Sequence, residues 1–235
     1  MRRAIGTPPP PGLAVPGSIS PTRAERPAII VRLIRQHNIL PITDQELAQG
    51  PLLPDLAYMP IVGMIDGATV RIVDASIPAS IRYAIARVAY VAQRSIPSFK
   101  TGYDGTVTED DQRLYILTSG TRATGLVLTA LQDRVWQVRW IEDGSLVRIS
   151  NEPLQIRVHV VARVWVAADM RRRGLGRRLV DCALAHIGES PMNIGWVLPF
   201  TESGSALVKD MCPTQLHVSC DPWTLRQNTN LKGPR

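Results

Sequence analysis

The chain is predicted to adopt an α+β fold in which a mixed, mostly antiparallel sheet is splayed at its central strand and flanked by helices. Three observations predict this. Short strand-like segments follow one another through turn residues in the middle of the chain, which favours antiparallel pairing. A long β-branched run at residues 156–166 has the composition of a central strand. A strand–loop–helix–strand unit begins there, so the sheet is expected to open at that point.

The first half of the chain contains one turn signal and one helical pattern. Asp66-Gly67 lies between two apolar runs in residues 64–73, which predicts a β-hairpin. Apolar residues recur at helical spacing over residues 79–94, which predicts an amphipathic helix. No regular element is predicted for the proline-punctuated residues 41–60, and the polar, acidic residues 98–111 are expected to form a surface loop.

The second half of the chain is predicted to alternate strands and helices. The expected strands are residues 113–118, 124–131, 135–140, 156–166, 193–198 and 215–220. The expected helices are residues 176–186, ending near Gly188, and a short helix at 201–211.

Composition restricts the partners of the protein. Lys and Arg number 27 and Asp and Glu 20, giving a net charge of +7 and a pI near 9.8, which suggests an anionic ligand or partner. No apolar run approaches the roughly 18 residues of a membrane span, so a membrane is not expected as a partner. The chain has only three cysteines, an odd number, which argues against a secreted disulfide scaffold and favours a reducing compartment. Cys212, His217 and Cys220 lack a fourth ligand at zinc spacing, so no metal is predicted.

The loop that carries chemistry has the sequence Arg171-Arg172-Arg173-Gly174-Leu175-Gly176 and joins a β-branched strand to a helix. Backbone N–H groups at a helix N-terminus face an anion directly, and glycine lets a diphosphate approach without a Cβ in the way. Neighbouring guanidinium groups add charge-assisted hydrogen bonds. Glycines within the basic run suit a phosphate loop better than a helix that reads a nucleic-acid groove, so nucleic acid is unlikely as a direct ligand.

This loop resembles the diphosphate-binding loop of the GNAT superfamily, which has the pattern Arg/Gln-x-x-Gly-x-Gly/Ala after the fourth strand. Arg171, Gly174 and Gly176 fill its three fixed positions. The resemblance implies the acyl-CoA N-acyltransferase fold, with acetyl-CoA as cosubstrate and pantetheine bound by the backbone of the preceding strand. The residues that it implies for the cosubstrate are Val164, Trp165, Val166, Arg171, Arg172, Arg173, Gly174, Leu175, Gly176 and Arg177.

A closer resemblance is to the catalytic domain of the cohesin (sister-chromatid cohesion) acetyltransferases. It is carried by Arg163-Val164-Trp165-Val166, by Leu179-Val180-Asp181-Cys182 and by residues 201–207. The likeness covers about residues 61–220 and is specific only over residues 163–182. It implies acetylation of a protein lysine by direct transfer. The short chain, rich in Arg and Ala and without a zinc finger, favours a cytoplasmic location, and a eukaryotic cohesin-type enzyme would be nuclear.

The sequence also departs from this family. No cysteine precedes Cys182, so the family's zinc finger is missing. Ala162 stands where the family often has serine, and Leu198-Pro199-Phe200 replaces an acidic or amide residue followed by Pro-Thr. The division predicted from the resemblance is a Pro-rich flexible leader at 1–27, a connecting segment at 28–60, a GNAT-like domain at 61–223 and a polar tail at 224–235.

The catalytic side chains are less well specified than the cosubstrate site. Many GNAT enzymes use a tyrosine beyond the diphosphate loop as an acid, but every tyrosine of this chain lies at or before Tyr115. Asp181 and Glu202 are therefore the candidates for proton transfer, since a carboxylate can act through water. His186 is expected to be a buried histidine with a hydrogen-bond partner rather than a base.

Three alternatives stay open at this point. The acceptor is a small amine rather than a protein lysine, the domain binds CoA without catalysis, or the basic loop is a coincidental helix start. Acidic residues within 98–111 could recruit a cationic acceptor in the two catalytic cases.

Overall fold

A computed structural model describes residues 41–53, 56–95, 111–198 and 200–219. The predicted leader, the C-terminal tail and all but the last residue of the predicted acidic loop lie outside these ranges. No helix within them is long and apolar enough to cross a membrane.

The described chain forms one nine-stranded sheet with the order β1-β2-β3-β4-β7-β8-β9-β5-β6. Strands β1, β2, β3, β4 and β7 pair with one another in this order, and each pair is antiparallel. Strand β8 lies between β7 and β9 and is parallel to both. Strand β5 pairs antiparallel with β9 on one side and with β6 on the other. The strands are β1 Ile61–Ile65, β2 Ala68–Val73, β3 Gln112–Ser119, β4 Arg122–Gln132, β5 Trp136–Trp140, β6 Leu146–Arg148, β7 Val158–Val166, β8 Gly195–Val197 and β9 Gln215–Ser219. The predicted α+β fold with its central β7 is confirmed. Among these strands only β6 lacks a counterpart in the sequence-based prediction.

Four α-helices accompany the sheet in the described ranges, namely α1 Asp44–Gln49, α2 Ala79–Arg94, α3 Leu175–Ile187 and α4 Glu202–Met211. The predictions of α2, α3 and α4 are confirmed, and Gly188 ends α3 with a left-handed φ of 76°. The helix α1 was not predicted. Its capping box is nevertheless present in the sequence, because Thr43 accepts a hydrogen bond from the Glu46 amide and Glu46 accepts one from the Thr43 amide.

Helices cover both faces of the sheet, so two hydrophobic cores lie on opposite sides of it. The first core packs α3 and α4 against one face, and Val164 and Val166 contribute to its edge. The second core packs α2 and its neighbours against the other face, where Trp165 is buried. Leu53 and Met59, from the segment that was expected to be a connection, are also buried in this second core. Alternate residues at the end of β7 therefore serve different faces, as the strand period of two requires.

The sheet opens at β7 because its two neighbours pair with it over different lengths. The strand pairs with β4 along its whole length but with β8 only at Val160 and Val161. Leu128 faces Arg163 and Thr129 faces Val161, so Ala162 is an extra residue without a partner in β4. Such a β-bulge bends its strand. Beyond it, β7 and β8 separate, and a cleft opens between them under α4.

Candidate cosubstrate site

Two connected clefts follow the far half of β7. The outer one, of about 640 Å³, reaches from the diphosphate loop and the start of α3 to the start of α4. The inner one, about 70 Å³, is the wedge between β7 and β8. Val164, Thr201, Gly204 and Leu207 line both, so they form a single passage from a basic mouth to an apolar end.

The backbone of β7 offers hydrogen-bonding groups to this passage. The amide of Ala167 donates to the carbonyl of Thr124 in β4 at 2.9 Å. The backbone groups of successive residues in a strand point to opposite sides. Those of Val164 and Val166 therefore face away from β4, towards the cleft between β7 and β8. These are the backbone groups that the resemblance assigns to pantetheine.

The diphosphate loop follows a 3-10 turn at Ala168–Met170 and includes two residues with left-handed backbone. Arg172 has a φ of 60° and Gly174 a φ of 71°. Alternation of negative and positive φ turns backbone N–H groups towards one side and builds an anion-binding concavity. Gly174 is also the N-cap of α3 and provides no side-chain cap, so the first N–H groups of the 13-residue helix are available to an anion.

Arg171 is anchored by one edge of its guanidinium group. Its Nε donates to the carbonyl oxygen of Val166 at 2.9 Å, and its side chain lines the outer cleft. The bond fixes the side chain at the end of β7 and leaves the two terminal nitrogens as donors. This arrangement pre-organises a planar, charged fork for a phosphate.

The remaining arginines of the basic run divide into two groups. Arg177 pairs with Asp210 of α4 and, at 3.5 Å, with Asp181. Arg178 pairs with Asp66 of the β1–β2 turn at 2.5 and 2.8 Å, and this hydrogen bonding lowers the pKa of the Asp66 carboxyl. Arg172 and Arg173 are exposed and make no ion pair with any residue in the described ranges. Arg171 and Arg172 line the outer cleft without an acidic partner among the described residues, and Arg177 lines it while paired with Asp210 and Asp181. Arg173 is exposed but does not line the cleft, and Arg178 attaches α3 to the β1–β2 turn.

Gly176 leaves space at the floor of the outer cleft. A Cβ at this position would lie 3.6 Å from Val164 Cγ1 and 3.8 Å from Val166 Cγ2, which are ordinary contacts. The protein itself therefore does not require glycine here. A ligand passing over these two valines would require it, which fits a close approach of the diphosphate and pantetheine.

Two predicted cosubstrate residues contribute less directly through their side chains. Trp165 is 3% exposed and its indole packs in the second core, away from the face of Val164 and Val166. Leu175 is 4% exposed and belongs to the first core. Both lie in the wall of the outer cleft. Their roles as cosubstrate residues stay predictions.

The two candidate carboxylates lie outside the lining of both clefts. Asp181 is on the outer side of α3 and is engaged by Arg177. Glu202 is exposed in the first turn of α4, next to Thr201 at the junction of the clefts. Asp181 thus contacts the cleft-lining Arg177 and Glu202 adjoins the cleft-lining Thr201, and both assignments stay predictions.

The N-terminus of α4 contributes three residues, Thr201, Ser203 and Gly204, that were not among the predicted cosubstrate residues, although Glu202 beside them was predicted as a catalytic candidate. Thr201 caps α4 by accepting a hydrogen bond from the Gly204 amide at 3.0 Å, and Ser203 and Gly204 line the outer cleft. The Thr-x-x-Gly pattern signals a helix start. The pattern does not indicate that the start of α4 lies beside the start of α3. The two helix starts are brought together by the pairing of β7 with β8, which is a long-range contact.

The histidine and cysteine side chains have structural surroundings. His186 is exposed rather than buried as predicted, because it lies near the end of α3; its Nδ1 lies 3.1 Å from the Tyr115 hydroxyl. Burial raises the pKa of Tyr115 to about 12. Burial also raises the pKa of the Cys182 and Cys212 thiols, which disfavours a thiolate nucleophile. Within the described ranges, no cluster of His, Cys, Asp or Glu could hold a metal ion.

Comparisons with known proteins agree with this geometry. Two solved structures of the xEco2 acetyltransferase domain, one of them bound to a K105-CoA conjugate, superpose on the chain. The conjugate-bound domain has a TM-score of 0.56 at 17% identity, covering 68% of this chain and 96% of that one. The other has a TM-score of 0.55 at 16% identity, covering 70% and 98%. The chain has the fold of a cohesin-type acetyltransferase domain.

Sequence comparisons point to the same group. The family model for the ESCO1/2 acetyl-transferase matches residues 158–219, from β7 to β9. The N-acetyltransferase ECO1 of Debaryomyces hansenii is 35% identical over 75 residues, which is 32% of this chain. The matched part spans about a quarter of that curated relative, 26% of its length. The resemblance predicted from residues 163–182 is confirmed by these matches.

Proposed function

We propose that the protein is an acetyl-CoA-dependent N-acetyltransferase that transfers the acetyl group directly to the amine of a protein lysine. One observation carries the proposal. A single passage connects an uncapped, basic helix N-terminus to an apolar wedge along the edge of β7 that faces away from β4. An anion-binding end, a row of hydrogen-bonding groups and an apolar end match a diphosphate, a pantetheine arm and an acyl group in that order.

Binding is divided among the residues of this passage. The N–H groups at the start of α3, together with Arg171, Arg172 and Arg173, hold the diphosphate. The backbone groups of Val164 and Val166 orient the pantetheine arm. Acetyl-CoA supplies the activated acyl group, and a backbone N–H of β7 where the two clefts meet, at Val164, would polarise its thioester carbonyl.

Proton transfer is the step for which the residues lining the passage offer the fewest suitable side chains. A lysine has an ordinary pKa of about 10.4, so most of it is protonated at neutral pH and must lose a proton before it attacks. Glu202, beside the junction of the clefts, is our candidate for relaying this proton through water. Asp181, paired with Arg177, is the other candidate, and its ion pair also stabilises α3.

The nature of the acceptor rests on relatives. One of the xEco2 acetyltransferase structures contains a K105-CoA conjugate. This supports a lysine acceptor for the present chain, and the cohesin-type fold supports a protein rather than a small amine. Acetylation of a small amine by the same passage is the alternative within the same chemistry.

A second candidate function is CoA binding without catalysis. The observation that favours it is the absence of aspartate and glutamate from the described lining of both clefts. The replacements at Ala162 and Leu198 point the same way, because they remove polar groups that the resembling family often has there.

Calorimetry with acetyl-CoA tests the proposal. We expect the protein to bind acetyl-CoA and the double variant Arg171→Ala, Gly174→Trp to lose most of this affinity. Unchanged affinity in the variant would contradict the assignment of the site. Mass spectrometry of lysine peptides and proteins incubated with the enzyme and acetyl-CoA then tests transfer. Binding without acetylation of any amine would favour the non-catalytic candidate.

A further inference from the structure

The inner wedge ends at a closed apex. Val160 pairs with Gly195 and Val161 with Trp196, so β7 and β8 are joined immediately behind the cleft. Their contact is tight, since a Cβ on Gly195 would lie 2.6 Å from Val160 Cγ1. A group that enters from the diphosphate loop cannot pass between the strands at this point.

Packing holds the walls and roof of the wedge in place. Trp196 and Val208 are each 2% exposed and belong to the first core. Phe200 packs on Trp140 with ring centroids 6.5 Å apart, and the Trp140 Nε1 donates to the Cys212 carbonyl at 2.8 Å. Leu207 of α4 is partly buried at the boundary between the inner and outer clefts. Side chains fixed in this way resist displacement by a larger ligand.

The size of the wedge limits what can occupy it. Its volume is about 70 Å³, whereas an apolar cavity of about 150 Å³ takes one benzene, which has six heavy atoms. On that scale the wedge holds about three heavy atoms beyond the pantetheine sulfur. A longer chain would have to displace packed side chains, which weakens its binding.

We propose that this wedge selects the acyl group by length, admitting acetyl and excluding chains of about six carbons, with Leu207 as the residue that sets the limit. The inference rests on the proposed function, because it assumes that the pantetheine arm lies along Val164 and Val166. Leu207 is assigned this role because it is the partly exposed side chain at the boundary of the two clefts. The other apolar side chains of the wedge belong to strand residues, to the buried Val208 and to Phe200, which is packed against Trp140.

Acyl-CoA binding by calorimetry tests the proposal without requiring turnover. The ligands are CoA, acetyl-CoA and hexanoyl-CoA, and each acyl-CoA affinity is divided by the CoA affinity of the same variant. We expect hexanoyl-CoA to bind the wild type at least tenfold more weakly than acetyl-CoA. Leu207→Ala should recover about tenfold for hexanoyl-CoA, because it removes three carbons at the boundary. Leu207→Val, a milder change that is easier to fold, should recover part of it.

Met211→Ala is the matched control. Met211 lies on the same helix and is 5% exposed, but it lines neither cleft. Its ratio of hexanoyl-CoA to acetyl-CoA affinity should equal that of the wild type. A similar recovery in Met211→Ala would instead indicate general loosening of α4 and overturn the role of Leu207.

Two further results would count against the proposal in distinguishable ways. Equal affinity of the wild type for acetyl-CoA and hexanoyl-CoA, with CoA bound, would overturn length selection and leave the proposed function standing. Failure of the wild type to bind CoA at all would overturn the proposed function, and length selection with it.

Discussion

Gly176 and Gly174 are adjacent members of one motif but are needed for different physical reasons. Gly174 has a left-handed φ, which costs a residue with a side chain about 1 kcal/mol or more. Gly176 is the second residue of α3 and has room for a Cβ within the protein, yet that Cβ would lie on the floor of the cleft. Conformation explains the first glycine and ligand approach explains the second.

The variant Gly176→Ala should therefore separate stability from binding. Alanine is favoured over glycine in a helix by up to about 1 kcal/mol, so the free energy of unfolding is expected to stay constant or rise. Affinity for acetyl-CoA should fall by about tenfold, corresponding to about 1.4 kcal/mol. Urea denaturation and calorimetry on the same preparation measure both. Gly174→Ala is the comparison, and it should lose stability as well as affinity.

Variants of Arg171 should separate the contribution of its charge to acetyl-CoA binding from that of its planar guanidinium shape. Lysine at this position keeps the charge but cannot donate to the Val166 carbonyl and present two further donors in one plane. We expect Arg171→Lys to weaken acetyl-CoA binding by about three- to tenfold, and Arg171→Ala by more, because it also loses the charge. Titrations at two salt concentrations check this, since only the alanine variant should show a smaller salt dependence than the wild type.

At the level of elements, α1 is fastened to α2 by one ion pair. Glu46 accepts hydrogen bonds from Arg87 Nε at 2.9 Å and Nη2 at 2.8 Å, with both side chains largely covered. Hydrogen bonding to Arg87 is the main cause of the lowered pKa of Glu46. A carboxyl whose pKa is lower in the folded state contributes stability above its unfolded pKa and loses it as the pH falls through the folded value.

Glu46→Gln should therefore destabilise the protein by about 1 kcal/mol at pH 7. The difference from the wild type should shrink as the pH is lowered below about 4.5, where Glu46 is protonated in the unfolded chain and then in the folded one. Denaturant unfolding at pH 7 and at pH 3 measures this. A difference that is constant with pH would show that packing of the side chain, rather than the ion pair, holds α1.

The same elements show how far the sequence could predict the structure. The helix α2 and the β1–β2 hairpin follow from local patterns, the 3.6-residue period and the Asp66-Gly67 turn, so both were predicted. The six residues of α1 carry a capping box but too few apolar positions for a period. The three residues of β6 are an edge strand that exists because β5 pairs with it, and no local pattern specifies such a partner.

In the candidate site too, features encoded by a contiguous motif could be predicted from the sequence, whereas features that depend on long-range contacts could not. The diphosphate loop is contiguous, so its arginines and glycines could be recognised together. The α4 N-terminus, the wedge and the pairing of Arg177 with Asp210 depend on β7, β8 and β9 meeting in parallel. Such contacts join residues far apart in sequence, and their geometry follows from topology rather than from a motif.

At the scale of the whole molecule, the pH dependence of acetylation reports whether the domain provides its own base. If Glu202 relays the proton, kcat/KM for a lysine peptide should rise to a plateau governed by an enzyme group, and Glu202→Gln should lower it by about 10²-fold or more. Asp181→Asn tests the other candidate, and it should have a smaller effect if the role of Asp181 is to pair with Arg177. If no group of the enzyme takes part, the rate should rise with pH up to the pKa of the amine itself, and both variants should match the wild type.

The opening of the sheet between β7 and β8 depends on a difference in the number of residues in β4 and β7. Between the points where β4 and β7 are in register, β7 contains one residue more, Ala162. The opening is thus encoded by the number of residues and not by the chemistry of any one of them. Ala162→Ser should keep the affinity for acetyl-CoA within about twofold, whereas deletion of Ala162 should straighten β7, extend its pairing with β8 and abolish binding in a folded protein. Insertions and deletions at this position would then create or erase the site where substitutions leave it intact.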